Sequence, residues 1–167
     1  MSRTFTETRT VYQYDELPTE KAKDKAREWY CQASSSDEWW EQVYEDAKMV
    51  GIKITGFDID RSSYCKGTFT KAVRTVAEAI TNNHGKDCET YKTAAQFLLD
   101  FAALPVDEDG GRDINEEDDL SEEFKNSILE DYRIMLSHEY DYINSQEYVE
   151  DMIRCNEYEF NVNGSWV

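Results

Sequence analysis

The sequence predicts an α+β protein, an antiparallel sheet of about four strands packed with five to six helices in a single domain spanning 1–167. Three observations lead there. Short runs of period-2 alternation recur at 4–14, 52–60, 63–69 and 158–162, as half-buried strands require. Between them, apolar residues recur at helical spacing, and strands and helices do not alternate as βαβ units. With 40% apolar and 13% aromatic residues among 167, the chain has the material for a buried core.

Residues 4–14 (TFTETRTVYQY) read as the first strand. Leu17-Pro18-Thr19 opens a helix bearing Ala22, Ala26, Trp29, Tyr30 and Ala33. Ser34-Ser35-Ser36 ends it, and Ser35 with Glu38 fits a capping box for a second helix, which carries Trp39, Trp40, Val43, Ala47 and Val50 and stops at Gly51. In 52–60 (IKITGFDID), Ile52 and Ile54 share a side that Phe57 and Ile59 keep only if Gly56 forms a bulge. YCKGTF returns as its partner strand. Helices follow at about 70–82 and 87–103, the second ended by Pro105. Residues 105–119 lack periodicity and read as an acidic loop. Ser121 then caps a long helix, and Asn144 with Glu147 caps another, so that 120–156 is an acidic helical segment. Tyr158, Phe160 and Val162 form a closing strand before the Asn163-Gly164 turn. Trp29, Trp40, Phe57, Phe69, Leu98 and Phe101 are expected in one shared core.

Charge narrows the function classes. The chain holds 18 Lys and Arg against 36 Asp and Glu, a net of −18. Residues 101–167 hold 4 of the basic and 19 of the acidic residues. Such a chain does not bind nucleic acid directly, because phosphates need Lys and Arg. No stretch is long and apolar enough for a membrane span, and the N-terminus lacks a signal peptide's apolar centre, so a cytoplasmic location in the host cell is expected. The four cysteines are scattered without CxxC spacing, as expected of free, mostly buried thiols.

Catalytic and metal motifs find little support. His84 and Cys88 alone do not make a tetrahedral zinc site. Asp107–Asp118 imitates a calcium loop at its first, third, eighth and twelfth positions, but Arg112 stands where the sharp turn needs glycine. Asp58 and Asp60 have metal-nuclease spacing without a supporting His or Glu, and no signature selects a Cys–His pair. No cofactor, no metal and no enzymatic activity are therefore expected, with a metal- or Cys-dependent enzyme as the third-ranked reading.

The long C-terminal helix is more informative. At 100° per residue, Glu123, Glu130 and Asp141 fall within about 20° of one another, opposite the Leu129–Tyr132–Leu136–Ile143 stripe. Ile134 lies among them, and Glu139 projects toward the stripe. The candidate partner-binding residues are Asp118, Asp119, Glu122, Glu123, Glu130, Asp131, Ile134, Asp141, Glu147, Glu150 and Asp151. A rigid acidic surface competes with nucleic acid for a basic groove, whose field attracts any suitably spaced polyanion. In this the chain resembles the DNA-mimic and anti-CRISPR inhibitors made by phages and mobile elements. YDELPTEKAKDKAREWY (14–30) and IRCNEYEFNVNGSW (153–166) also resemble pieces of small phage-encoded proteins, about 30 residues in all that carry no transferable site. The resemblance implies an anti-defence inhibitor, an anti-CRISPR protein first, whose partner is a basic nucleic-acid-binding protein such as a Cas effector or other defence protein. The alternative is a non-enzymatic accessory protein that binds a basic partner without imitating DNA.

Overall fold

A computed structural model describes residues 8–34 and 38–167. In chain order its elements are β1 (Tyr12–Gln13), α1 (Glu20–Ala33), α2 (Glu41–Val50), β2 (Ile52–Asp58), β3 (Tyr64–Phe69), α3 (Val73–Asn83), α4 (Glu89–Ala103), α5 (Ile114–Ile143), α6 (Gln146–Cys155) and β4 (Glu159–Phe160). Helix and strand are mixed, as the patterns require, but the strands pair two and two rather than in one sheet of four: β1 with β4, β2 with β3. Contacts gather into two compact units: a terminal unit of residues up to Asp37 with Tyr140–Val167, and a central unit, Glu38–Glu139. Among the described residues, no helix is long and apolar enough to cross a membrane.

In the terminal unit, the strand expected over 4–14 contracts to β1; residues 4–7 lie outside the described residues, as does Ser35 of the expected capping box. β1 is antiparallel to β4, with Tyr12 opposite Phe160 and Gln13 opposite Glu159. Thr19 caps α1, its hydroxyl accepting the Ala22 amide at 3.2 Å. The four-residue stride Ala22–Ala26–Tyr30 buries one face of α1 with Tyr14, Val149, Ile153 and Phe160. Trp29 stacks on Trp166 at 5.2 Å and meets Tyr158 edge-on at 5.1 Å. Trp29 therefore leaves the expected shared core and belongs to this one. α6 is capped by Ser145, whose hydroxyl accepts the Tyr148 amide at 3.3 Å, and not by Asn144, whose side chain instead donates to the Tyr140 carbonyl.

In the central unit, α2 ends at Gly51, whose φ of 97° suits glycine. The β2–β3 register slips between Ile54 and Gly56, which is the bulge the phase change demands. Phe57 thereby stays on the core side and meets Trp39 and Trp40 edge-on at 5.5 and 5.7 Å. α5 buries Phe124, Ile128, Tyr132 and Leu136, a stride of four, against apolar residues of α2, β2, α3 and α4. Trp40, Phe57, Phe69, Leu98 and Phe101 share this core.

Two expectations about α5 need correction. It begins at Ile114, so 114–119 is helix rather than loop, and Ser121 lies within it. INEEDD has no apolar stripe, and its helicity comes from other sources. The Asp113 carboxylate accepts the Asn115 amide at 2.8 Å, and acids in the first turn complement the helix dipole. The helix also continues through half-buried Glu139, which makes no ion pair among the described residues.

Gly67 sets how closely α5 approaches the hairpin. A Cβ there would lie 2.9 Å from the Lys53 carbonyl oxygen and 3.1 Å from the Leu129 Cδ2. Gly67→Ala is expected to destabilise the central unit by about 1–3 kcal/mol, read as a lower urea midpoint at unchanged slope.

Candidate functional site

The central unit carries 23 acidic against 11 basic residues, and the terminal unit 13 against 7. Seven of those acids lie between Glu116 and Glu130 on α5. At 1.5 Å rise, the five exposed ones at 116, 118, 119, 122 and 123 span about 10 Å, one carboxylate per roughly 2.6 Å of axis against ~3.4 Å per phosphate of one B-DNA strand, and Glu130 stands about 10 Å further along. Six of the seven fall within an arc of about 160°; only Glu117 turns inward and is half-buried.

The candidates do not all contribute equally. Asp118, Asp119 and Glu123 are exposed and form no ion pair with a described residue. Glu122 pairs with Lys125 at 2.6 Å, and Glu130 with Arg133 at 2.6 Å, so part of their field is cancelled locally. The Arg133 guanidinium also holds the Glu130 carboxyl below its usual range. Asp131 and Ile134 are half-buried and line a cleft rather than the outward row. Asp141, Glu147, Glu150 and Asp151 belong to the terminal unit. There, Asp141 and Glu147 are exposed, while Asp151 pairs with Arg154 at 3.1 Å. Glu150 is half-buried and held within its unit by ion pairs. It ties Arg27 of α1 at 2.7 Å to Arg154 at 3.1 Å. Burial opposes its charge, but hydrogen bonds from Gln146, Tyr14, Arg27 and Arg154 bring its pKa down to about 2.

The expectation of mostly buried thiols also fails: Cys31, Cys88 and Cys155 are free and exposed, and only Cys65 is half-buried. Burial and the nearby Glu130 charge push the Cys65 thiol up to about 11. Carboxylates of the other motifs serve their own turns. Asp107 accepts the Asp109 and Gly111 amides, and Asp58 accepts that of Asp60. No cluster of three metal-ligating side chains forms among the described residues.

The structure assembles one constellation that sequence reasoning missed. Beside α5 lies a cleft of about 440 Å³, with Ile134 and Met135 as an apolar wall and Asp46, Glu89 and Asp131 as carboxylates. His84 ends α3 here, and its Nδ1 lies 2.7 Å from the hydroxyl of buried Thr90. Its Nε2 faces Asp46 Oδ1 at 3.4 Å, an ion-pair distance too long for a good hydrogen bond, and has no hydrogen-bond partner. The opposite Asp46 oxygen accepts the hydroxyl of Tyr132 at 2.9 Å. Burial raises the Asp46 pKa, but His84 and Tyr132 outweigh it and hold the carboxyl below its usual range. Thr90–His84–Asp46–Tyr132 thus joins α2, α3, α4 and α5. Because Thr90 is 3% exposed, its hydroxyl is an anchor rather than an accessible nucleophile. The available signal was Asp46, a carboxylate at the edge of the Val43–Ala47–Val50 stripe.

Asp131 differs from Asp46. Its only hydrogen-bond donor is the Thr93 hydroxyl at 2.6 Å, and no cation pairs with it among the described residues. Burial, with Glu89 and Glu130 nearby, pushes its carboxyl above the usual range. A raised carboxyl pKa means that the charged form costs stability once pH exceeds the unfolded value. Asp131→Asn, which still accepts from Thr93, is therefore expected to leave the central unit as stable as before or up to about 0.5 kcal/mol more stable at pH 7. Urea unfolding should show that advantage vanish as pH falls toward about 4.

No protein-family model, curated protein or solved structure matches the chain.

Proposed function

We propose that this chain is an anti-defence inhibitor, an anti-CRISPR protein in the first instance, whose acidic α5 face occupies the basic nucleic-acid-binding channel of its target. The observation that carries this reading is the exposed carboxylate row on α5. Five of its carboxylates crowd into about 10 Å of axis, a charge density comparable to that of phosphates on one DNA strand, and Asp118, Asp119 and Glu123 pair with no cation among the described residues. A helix fixes those charges, so a basic groove meets them without ordering a flexible tail. The terminal unit adds less, because Arg27 and Arg154 already neutralise Glu150 and Asp151.

The test has two stages. The full chain is used to capture proteins from cells carrying CRISPR or restriction systems, and the captured protein is identified. The purified target–inhibitor complex is then challenged with the target's own guide or duplex nucleic acid. Occupation of the channel requires mutual displacement and loss of the target's nucleic-acid binding. A complex that binds nucleic acid undiminished is the accessory-protein alternative and overturns the mimicry.

A further inference from the structure

We propose that the open edge of β3 takes an extended acidic segment of a partner protein as a third strand, independently of what α5 binds. β2 and β3 form a sheet of two strands, so β3 keeps one edge without a partner strand. Thr70 donates its amide to the Gly51 carbonyl at 2.9 Å. Antiparallel pairs alternate, so the backbone groups of Phe69, Gly67 and Cys65 turn away from β2. No backbone–backbone hydrogen bond reaches them among the described residues. Gly67 has no side chain and is still partly exposed, so backbone atoms of the strand meet solvent. An edge of this kind is a template for another strand, which gains main-chain hydrogen bonds by adding to it.

Charge selects the occupant. In a chain of net −18, the stretch from Gly51 to Arg74 holds five basic residues against two acidic ones. Lys53, Arg61, Lys66 and Lys71 are exposed, and none pairs with an acid among the described residues. On the solvent face of the hairpin Lys53 stands opposite Thr68, which places Lys66 diagonally about 7–8 Å away. Glu130, the acid whose charge reaches Cys65 from α5, is already paired with Arg133 at 2.6 Å. Like charges so placed oppose a second copy at this edge, because edge-to-edge pairing would add that copy's own lysines. A strand with a carboxylate at every second residue instead presents all of them on the lysine face, since strand side chains alternate. Nucleic acid fits less well: its phosphates accept from the edge amides but leave the edge carbonyls unpaired.

The experiment needs no target. The isotope-labelled full chain is titrated at low salt with the acetylated, amidated peptide TEVEVET, and backbone amide shifts and hydrogen exchange are followed. Separate arms use TKVKVKT, oligothymidylate, and two forms of TEVEVET N-methylated on the valine or on the glutamate amides. The expected result is saturable change confined to 53–55 and 64–70, with slowed exchange at the Cys65, Gly67 and Phe69 amides. TKVKVKT should bind at least tenfold more weakly, and one of the two N-methylated forms, the one whose pairing amides are blocked, should lose binding. Lys53→Glu with Lys66→Glu should also weaken TEVEVET at least tenfold; both positions are exposed, and the amide spectrum shows that the variant is folded. Five results overturn the proposal: no saturable binding by about 1 mM TEVEVET, TKVKVKT as good as TEVEVET, affinity retained in the folded double variant, both N-methylated forms binding like the parent, or shifts centred outside the hairpin. Tighter binding of oligothymidylate at the same amides overturns it too, and makes the hairpin a nucleic-acid surface.

Discussion

Tyr132→Ala is expected to be the most damaging single substitution in the central unit, costing about 4 kcal/mol or more. The side chain is 0% exposed and lies on the four-residue stride that packs α5 into the core. Truncation removes the ring and strips Asp46 of its one well-formed hydrogen bond. Tyr132→Phe separates the two losses. It keeps the ring and should cost about 1.5–2 kcal/mol, the range for a hydrogen bond to a charged group. The Phe penalty should also depend on pH. The folded Asp46 carboxyl is held below its unfolded value, so its stabilisation is complete above about pH 5 and is lost as pH falls through that depressed folded value. The wild-type advantage over Tyr132→Phe should therefore narrow in acid. Urea unfolding read by tryptophan fluorescence checks both, in a Trp29→Phe, Trp166→Phe background. Only Trp39 and Trp40, packed on the central core, then report. A Phe variant as unstable as the Ala variant would show that the hydroxyl, not the ring, carries the packing.

The contrast between Asp46 and Asp131 shows where sequence was readable. Helices with strong stripes and caps were legible, as Thr19 and Gly51 show, and so was the bulge, because Ile52, Ile54 and Phe57 cannot share a side without one. Strand pairing was not. Nothing in the alternation of 4–14 says that Tyr12 faces Phe160 rather than β2, since partner choice depends on which core the strand covers. Trp29 was misplaced for the same reason: its helical phase marks it as buried but does not say against what. The start of α5 was hidden because polar helices leave no apolar period.

The site was legible in part. Helical phase turns Glu123, Glu130 and Asp141 outward, and all three are exposed, whereas Asp119 falls in the expected acidic loop, where phase says nothing. The pairs Glu122–Lys125 and Glu130–Arg133 are readable at i,i+3 spacing, yet spacing alone does not say that either pair closes and cancels charge. Phase gives a direction and not what stands opposite. Asp131 and Ile134 sit at the edge of the outward arc, where α4 and the His84 turn close over them.

The central claim is that the unpaired carboxylates of α5 are what the target binds. Asp118→Lys, Asp119→Lys and Glu123→Lys together test it, because all three are exposed and each change should cost no more than about 0.5 kcal/mol of stability. Reversal replaces attraction with repulsion at each contacted Lys or Arg, so the triple variant should bind about 100-fold more weakly or worse. The matching triple alanine variant should lose less. Wild-type affinity should fall as salt rises, though less steeply than that of DNA, because the protein has no comparable condensed counterion layer to release. The deciding measurement is the affinity of the folded triple Lys variant for the captured target at low and at high salt. The account predicts a large loss at low salt that shrinks at high salt. Unchanged affinity at low salt would contradict it and place the binding surface elsewhere on the chain.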